Sequence, residues 1–573
     1  PKGLMYYLTM MDSWLYDETK PFIHIEAGDT FDELKKNARN GYFEKLIKEY
    51  LLDNNHKSII SLVPEYGLEK EKEQKEADKL AEYKSTLTND ELEELVKKTK
   101  ELKEYQDTPS SQEDLEKIPM LELSDIKREP AKDYNDVKSV DGIKIVHHNI
   151  FTNKIAYINM SFDTKCVPDE LIPYMGLLGS TLSLMDTKNY TYPELTNEIN
   201  INCGGLATGT ALYSDKVDFS KNTIVYEVKS KALYEKVPFV LGMMEEIMYN
   251  TRFDDYKRLK EIIARIKSRL EASLMGQGHS IAMLECCAQF SESAYYSDIL
   301  RGYKYYEFIK KLDEEFEQNK TQIVDKLNKL VGYIFNKDNV IVSLTADDEG
   351  YDCFVKALSA ESCNIKDEHY NTAVRSFIPV NVKTGYTSAS QVQYVARCGN
   401  FVKDGYKYTG ALKVLKVIFS YDYLWINVRV KGGAYGCMSG SSRNGDFYMV
   451  SYRDPNLEKT NDIYEGAADY IRNFNVSRRD MVKFIIGTIG EIDAPLTPSA
   501  IGSRSFTHYM CNCTEDMLRK DREEVLDATV ESIRELAPLI ESAVGQNYLC
   551  VVGNQKQINE AADLFDEIKP LIG

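Results

Sequence analysis

Long apolar runs are missing from this sequence. No stretch of about 18 apolar residues occurs in its 573 residues, so no membrane-spanning helix is expected. Basic charge is short as well. There are 71 Lys and Arg against 90 Asp and Glu, a formal net charge of −19, which argues against general nucleic-acid binding. That balance suits solubility or the attraction of basic peptides. Cysteine has no pattern: the 11 thiols are an odd number without a repeated spacing, so a reducing, cytosolic-type environment fits best. The bacterial cytoplasm comes first. An organelle stays open, because the sequence begins at Pro1 and offers no leader to judge.

Several chemical signatures are absent too. There is no G-x-x-x-x-G-K-[ST], so Gly432-Gly433 is not a phosphate loop, and there is no G-x-S-x-G. Histidine is scarce: His24, His56, His147, His148, His279, His369 and His508 are all of it. None falls in H-x-x-E-H or H-E-x-x-H, spacings that set two imidazoles on one helical face beside a general-base glutamate. His508-x-x-Cys511-x-Cys513 has ligand-like spacing but no fourth partner nearby, so incidental or buried thiols are expected there. Cys286-Cys287 are expected in a core, and His147-His148 are expected to face solvent or cap a loop before a strand.

What is present is an ordinary globular composition, 43% hydrophobic and 28% charged, long enough for three or four compact units. Residues 5–17 and 41–58 have helical apolar spacing, with Phe43, Leu46, Ile47, Tyr50 and Leu51 on one face. Ser58–Val63 is expected to be a strand stopped by Pro64. Residues 66–112 are charge-rich, and Thr88-Asn-Asp-Glu91 is a capping box opening the second helix of a hairpin. Residues 113–375 and 376–573 repeat one order of elements: strand, helix, strand pair, two helices, late apolar strand. Within them NTRFDDYKRLKEIIARI (250–266) matches NFNVSRRDMVKFIIGTI (473–489) at an offset of 223. The repeat implies a duplicated α+β domain with helices packed on one face of an antiparallel sheet.

The chain is organised around Trp425–Asn456. Ile426–Arg429 alternate, Gly432-Gly433-Ala434-Tyr435-Gly436 break the pattern, and Phe447–Tyr452 alternate again, which predicts strand, glycine-rich turn, strand. Arg429 and Tyr435 flank the turn, and a guanidinium and a phenol aimed at one spot can donate to a carbonyl oxygen that gains negative charge. Gly432 and Gly433 between them let a backbone come close to whatever sits there.

The stretch RVKGGAYG (429–436) resembles the R-x-K-G-G-A-Y-G motif of the presequence proteases, a branch of the pitrilysin/insulysin superfamily of zinc peptidases. SYRDPN (451–456) and GTIGEIDAPLTP (487–498) are similar to later motifs of that branch, in the same order. FTNKIAYINMSFD (151–163) is similar to its T-N-G-I strand, with Lys154 where the family has glycine. The resemblance covers essentially the whole chain and implies a C-terminal half with the duplicated pitrilysin-type, LuxS-like fold. Residues 1–65 would be the tail of the second domain, 66–112 a helical hairpin linker, 113–375 domain three and 376–573 domain four. It further implies a zinc-dependent metalloendopeptidase that degrades short unfolded peptides in an enclosed chamber. Zinc would be held by the N-terminal half, and Tyr435 and Arg429 would be catalytic from this half. Lys431, Gly432 and Gly433 would bind substrate. The implied partners are peptides and the N-terminal half, without nucleic acid or membrane, and this chain alone would be inactive. A non-catalytic scaffold subunit serving a separate zinc-bearing chain is the alternative.

Overall fold

The computed structural model describes residues 2–63, 65–108, 110–360 and 364–572. The chain divides into two compact units, residues 1–120 and 121–573.

Residues 1–120 are helical with little interior. No residue of the helices Lys2–Trp14, Gly28–Ala38 or Tyr42–Ile47 is buried. The expected stripe is helical, continuing through π-turns at Lys48–Leu52, yet Phe43, Ile47, Tyr50 and Leu51 are exposed. Ser58–Val63 is not the strand that its composition suggests: Ile59 is 96% and Leu62 94% exposed, in irregular backbone. A strand exists only where a neighbour satisfies its amides and carbonyls, and the described residues of this unit hold no other strand. The helices Leu68–Thr86 and Asn89–Asp107 are joined by Leu87-Thr88. Their junction carries the expected capping box. The Glu91 amide donates to Thr88 Oγ1 at 3.3 Å and the Thr88 amide to Glu91 Oε2 at 2.8 Å.

Residues 121–573 are built on two six-stranded sheets. The first holds β1 (Asp136–Val140), β2 (Ile143–Asn149), β3 (Ile155–Asp163), β4 (Leu206–Ser214), β5 (Asn222–Leu233) and β6 (Val340–Ala346), in the order β1-β2-β6-β3-β5-β4. The second holds β7 (Thr384–Ser388), β8 (Tyr394–Asn400), β9 (Gly436–Ser441), β10 (Asp446–Tyr452), β11 (Tyr548–Asn554) and β12 (Glu567–Pro570), in the order β12-β7-β11-β8-β10-β9. Laid over one another, the five positions β2-β6-β3-β5-β4 and β7-β11-β8-β10-β9 agree in sequence order and in strand direction. The duplication read from residues 250–266 and 473–489 is thus carried by the whole sheet. Those two segments contain the helices Tyr256–Gly276 and Arg478–Ile492, with Ile262 and Ile485 buried at the matched positions.

Two features depart from an antiparallel sheet with helices on one face. The sheets are mixed, because β2 runs parallel to β6 and β7 parallel to β11. Each pair is joined through a long connection that holds three other strands and several helices, long enough for a parallel crossover. Both faces are also covered. In β8, Val395 joins the core under the C-terminal helices, while Tyr394, Ala396 and Cys398 join a second core with Ile281, Ala282 and Cys286. Those partners lie on the helix Gly278–Cys287, which follows the first sheet's long helix. Reciprocally, Phe506 of the helix Pro498–Met510 packs with Val146 and Val225 on the first sheet. Each half therefore donates one helix to the other half's sheet. A glycine permits each contact: a Cβ at Gly278 would lie 2.3 Å from the Tyr394 ring, and one at Gly502 would lie 1.9 Å from Thr345 Oγ1.

His147 and His148, expected at the surface, are buried within β2. His148 Nε2 lies 2.9 Å from Ser343 Oγ and its Nδ1 is hydrogen-bonded to the Tyr134 carbonyl, an arrangement in which Nδ1 carries the proton and Nε2 accepts. Burial pushes its pKa down to about 4. The expectation failed because β2 is covered on both faces, so polar side chains there need internal partners.

Candidate functional site

The predicted strand at Ile426–Arg429 is helix. The helix Ala411–Ile418 continues through π-turns Phe419–Tyr423 and Trp425–Val430. Leu412, Leu415, Phe419 and Val428 keep a helical spacing into the core, and this outweighs a four-residue alternation. The glycines end the helix. A Cβ on Gly432 would lie 2.4 Å from the Val428 carbonyl oxygen, and Gly433 takes φ +83°. The Gly433 amide donates back to Arg429 O at 2.8 Å and the Ala434 amide to Val428 O at 3.1 Å, satisfying carbonyls that a helix end leaves open. The hairpin turn lies later, at Ser442–Gly445 between β9 and β10.

This termination sets Arg429 and Tyr435 beside one another. The Arg429 guanidinium lies 4.1 Å from the Trp425 ring centroid, one helical turn back, and 5.6 Å from the Tyr435 ring centroid. The Tyr435 amide donates to Tyr452 O at 3.1 Å, which fixes the residue at the mouth of β9. Its ring stands edge-on to Tyr452 at 5.8 Å, and the side chain is 66% exposed. Tyr452 in turn meets His279 of the helix Gly278–Cys287, edge to face at 4.8 Å. Lys431, Gly432 and Gly433 all lie in the turn between the two candidate residues; the Lys431 amide donates to Ile426 O at 2.9 Å.

The SYRDPN segment braces the turn from below. Asn456 Nδ2 donates to the Gly432 carbonyl at 2.6 Å. Asp454 is buried and exchanges backbone hydrogen bonds with Gln393; its carboxylate accepts from the Asn456 amide at 2.9 Å and from Thr460 Oγ1 at 2.7 Å. Burial raises the Asp454 pKa against these hydrogen bonds. Burial likewise pushes the Cys437 thiol up to about 11, with the nearby Arg429 charge opposing. Trp425, Tyr452 and His279 were not singled out in the sequence. Tyr452 lies inside a flagged motif and Trp425 is four residues from Arg429 on a helix, whereas nothing local marks His279.

Among the described residues, no two histidines come together as ligands on one helix. His147 Nε2 meets Ala346 O at 3.0 Å, His148 is held as described, and His508 Nδ1 pairs with Asp133 at 2.6 Å rather than with Cys511 or Cys513. Among the described residues, the cluster able to offer three ligand atoms is Asp338, Asp367 and His369, all exposed.

Comparison with known proteins gives the family. The model of the region associated with peptidases of family M16, subfamily C, matches residues 62–312, and that of the "PreP C-terminal domain" matches residues 385–554. Protein HypA of Clostridium perfringens is 39% identical over 577 residues, covering 100% of this chain and 58% of that protein. Presequence protease 1, chloroplastic/mitochondrial, of Arabidopsis thaliana is 29% identical over 584 residues, covering 100% of this chain and 54% of the relative. The chain thus spans about half the length of the curated relatives it matches. Two solved structures share the fold. A conserved protein from Enterococcus faecalis has TM-score 0.53 at 13% identity, over 73% of this chain and 97% of that one. A peptidase M16 inactive domain from Pseudomonas fluorescens has TM-score 0.50 at 14% identity, over 74% and 98%. No described helix is long and apolar enough to cross a membrane. From the motifs, the paired sheets and these matches, the chain belongs to the presequence-protease branch of the pitrilysin/insulysin peptidases and corresponds to the C-terminal half of such a protein.

Proposed function

We propose that this chain is the non-metal half of a zinc-dependent endopeptidase that degrades short unfolded peptides in an enclosed chamber. Residues 1–65 are the tail of the second domain, 66–112 the linker, and 113–375 and 376–573 domains three and four. Zinc belongs to residues outside this chain and supplies the activated water when bound. This chain's own contribution is to hold and polarise the substrate. Tyr435 donates its phenolic proton in a hydrogen bond to the carbonyl oxygen that becomes an oxyanion, and Arg429 holds a substrate carbonyl in its planar fork. Lys431, Gly432 and Gly433 let the peptide backbone approach. The observation that carries the reading is the meeting of one guanidinium and one exposed phenol, 5.6 Å apart, on a turn whose shape the glycines and Asn456 dictate.

The test is made in the complete enzyme. Tyr435→Phe removes one hydroxyl from an exposed ring, so folding should be unchanged while kcat falls about 10²–10³-fold, the usual cost of one oxyanion donor. Arg429→Lys should also impair turnover, because a point charge does not replace a fork. Wild-type kcat in Tyr435→Phe would remove the assigned role.

A further inference from the structure

Beyond the turn, the far end of β9 borders a cleft of about 520 Å³ between the two halves of the 121–573 unit. Its lining includes Ser439 and Ser441 of β9, Lys413 and Lys416 of the helix Ala411–Ile418, and Arg301 at the end of the helix Glu292–Arg301. Ser439 sits opposite Met449 in the ladder and is only 3% exposed, yet its hydroxyl has no hydrogen-bond partner. A buried hydroxyl left unpaired costs free energy, so one among the residues lining a cleft is a place where an incoming acceptor would be favoured. The charges agree. Arg301 has no ion pair among the described residues, while Lys413 and Lys416 each hold one carboxylate, Asp521 at 3.3 Å and Glu491 at 2.7 Å. Asp446 is the one carboxylate on the lining, and Ser291, Asn400 and Asn444 already donate to it. Three cations and one carboxylate stand on the lining itself, and Arg301 is the cation among them that no carboxylate pairs with among the described residues.

We propose that this cleft is an oxyanion subsite that takes the C-terminal carboxylate of a bound peptide. Arg301 offers a forked pair of donors, Ser439 a single one, and the lysines a field that screens the carboxylate. The choice of a peptide rests on the reading of Tyr435 given above. Ser439 lies four residues beyond Tyr435 along an extended strand, roughly 13 Å at about 3.3 Å per residue. A peptide with a carbonyl at Tyr435 therefore reaches the cleft within a few residues of its end. Inorganic phosphate has the same acceptor chemistry without the chain, and the test separates the two.

Fluorescence anisotropy at low salt compares the 573-residue chain's affinity for an N-terminally labelled pentapeptide with a free carboxylate and for the same peptide as its C-terminal amide. The expected result is about tenfold tighter binding of the acid, a preference that weakens as salt is raised. Arg301→Gln and Ser439→Ala should each abolish that preference, and Ser439→Ala, which only deletes a buried unpaired hydroxyl, should unfold at or above the wild-type midpoint. Tyr435→Phe should leave the preference intact, so a failure of the Tyr435 role and a failure of this subsite are told apart. Equal binding of acid and amide, including no measurable binding of either, overturns the proposal, as does a preference that survives in Arg301→Gln. Phosphate binding that depends on Arg301, without any acid–amide difference, gives the cleft to a free anion and also overturns it.

Discussion

At the scale of single residues, the proposed chemistry rests on Arg429 and Tyr435. Arg429 and Tyr435 were legible as a pair because their types and the intervening glycines form one motif. What the sequence did not disclose was their setting. Trp425 lies under the Arg429 guanidinium and Tyr452 against the Tyr435 ring, contacts that exist only once the helix ends where it does. His279 could not have been found, because the contact arises from one half lending a helix to the other. His148 shows the same limit and yields a pH prediction. Its folded pKa of about 4 lies below the value near 6.5 expected in an unfolded chain. Between the two, the unfolded state binds the proton and the folded state does not. Stability from this residue is therefore full above about pH 6.5 and is lost as pH falls toward 4, a change on the order of 3 kcal/mol. His148→Gln keeps a donor and an acceptor but cannot titrate, so denaturant midpoints followed from about pH 7 to about pH 4.5 should fall less steeply than in wild type. An identical slope in the variant would contradict this account.

At the scale of elements, most of the fold was readable where periodicity was sustained. The strand within 151–163, the capping box at Thr88 and the matched long helices all stand where the sequence placed them. Two short segments misled. Ile426–Arg429 alternate over only four residues inside a helix that began at Ala411, and Ser58–Val63 has the composition of a strand without a sheet to join. Local preference is decided by partners that lie far along the chain. The exchanged helices were likewise invisible, since no spacing rule says whose sheet a helix will cover. Their glycines make the exchange testable. Gly502→Ala and Gly278→Ala each push a methyl group into the other half, so each should lower stability by about 1–3 kcal/mol. Gly490, in the helix Arg478–Ile492, has open space around its Cβ position. Gly490→Ala should leave stability unchanged or raise it by up to about 1 kcal/mol. Thermal unfolding of the three variants separates the cases, and a Gly502→Ala protein as stable as wild type would refute the close packing.

At the scale of the whole molecule, the described chain has two unlike parts. Residues 121–573 form two sheets of one topology, each covered on both faces and tied together by the exchanged helices. Residues 1–120 expose Leu4, Met5, Tyr6 and Tyr7 along one helix, together with Ile59, Ile60, Leu62 and Val63, and so bury little apolar surface of their own. The duplicated unit carries the Arg429–Tyr435 turn, and on the proposed reading the activated water comes from elsewhere in the complete enzyme. This division of labour is the central claim, and one assay tests it most directly. A quenched fluorescent peptide is incubated with the purified 573-residue chain and stoichiometric zinc, and in parallel with the complete enzyme carrying Tyr435 or Tyr435→Phe. The account predicts no cleavage by the chain alone, chelator-sensitive cleavage by the complete enzyme, and a loss of about 10²–10³-fold in kcat for the variant. Chelator-sensitive cleavage by the chain alone would contradict it.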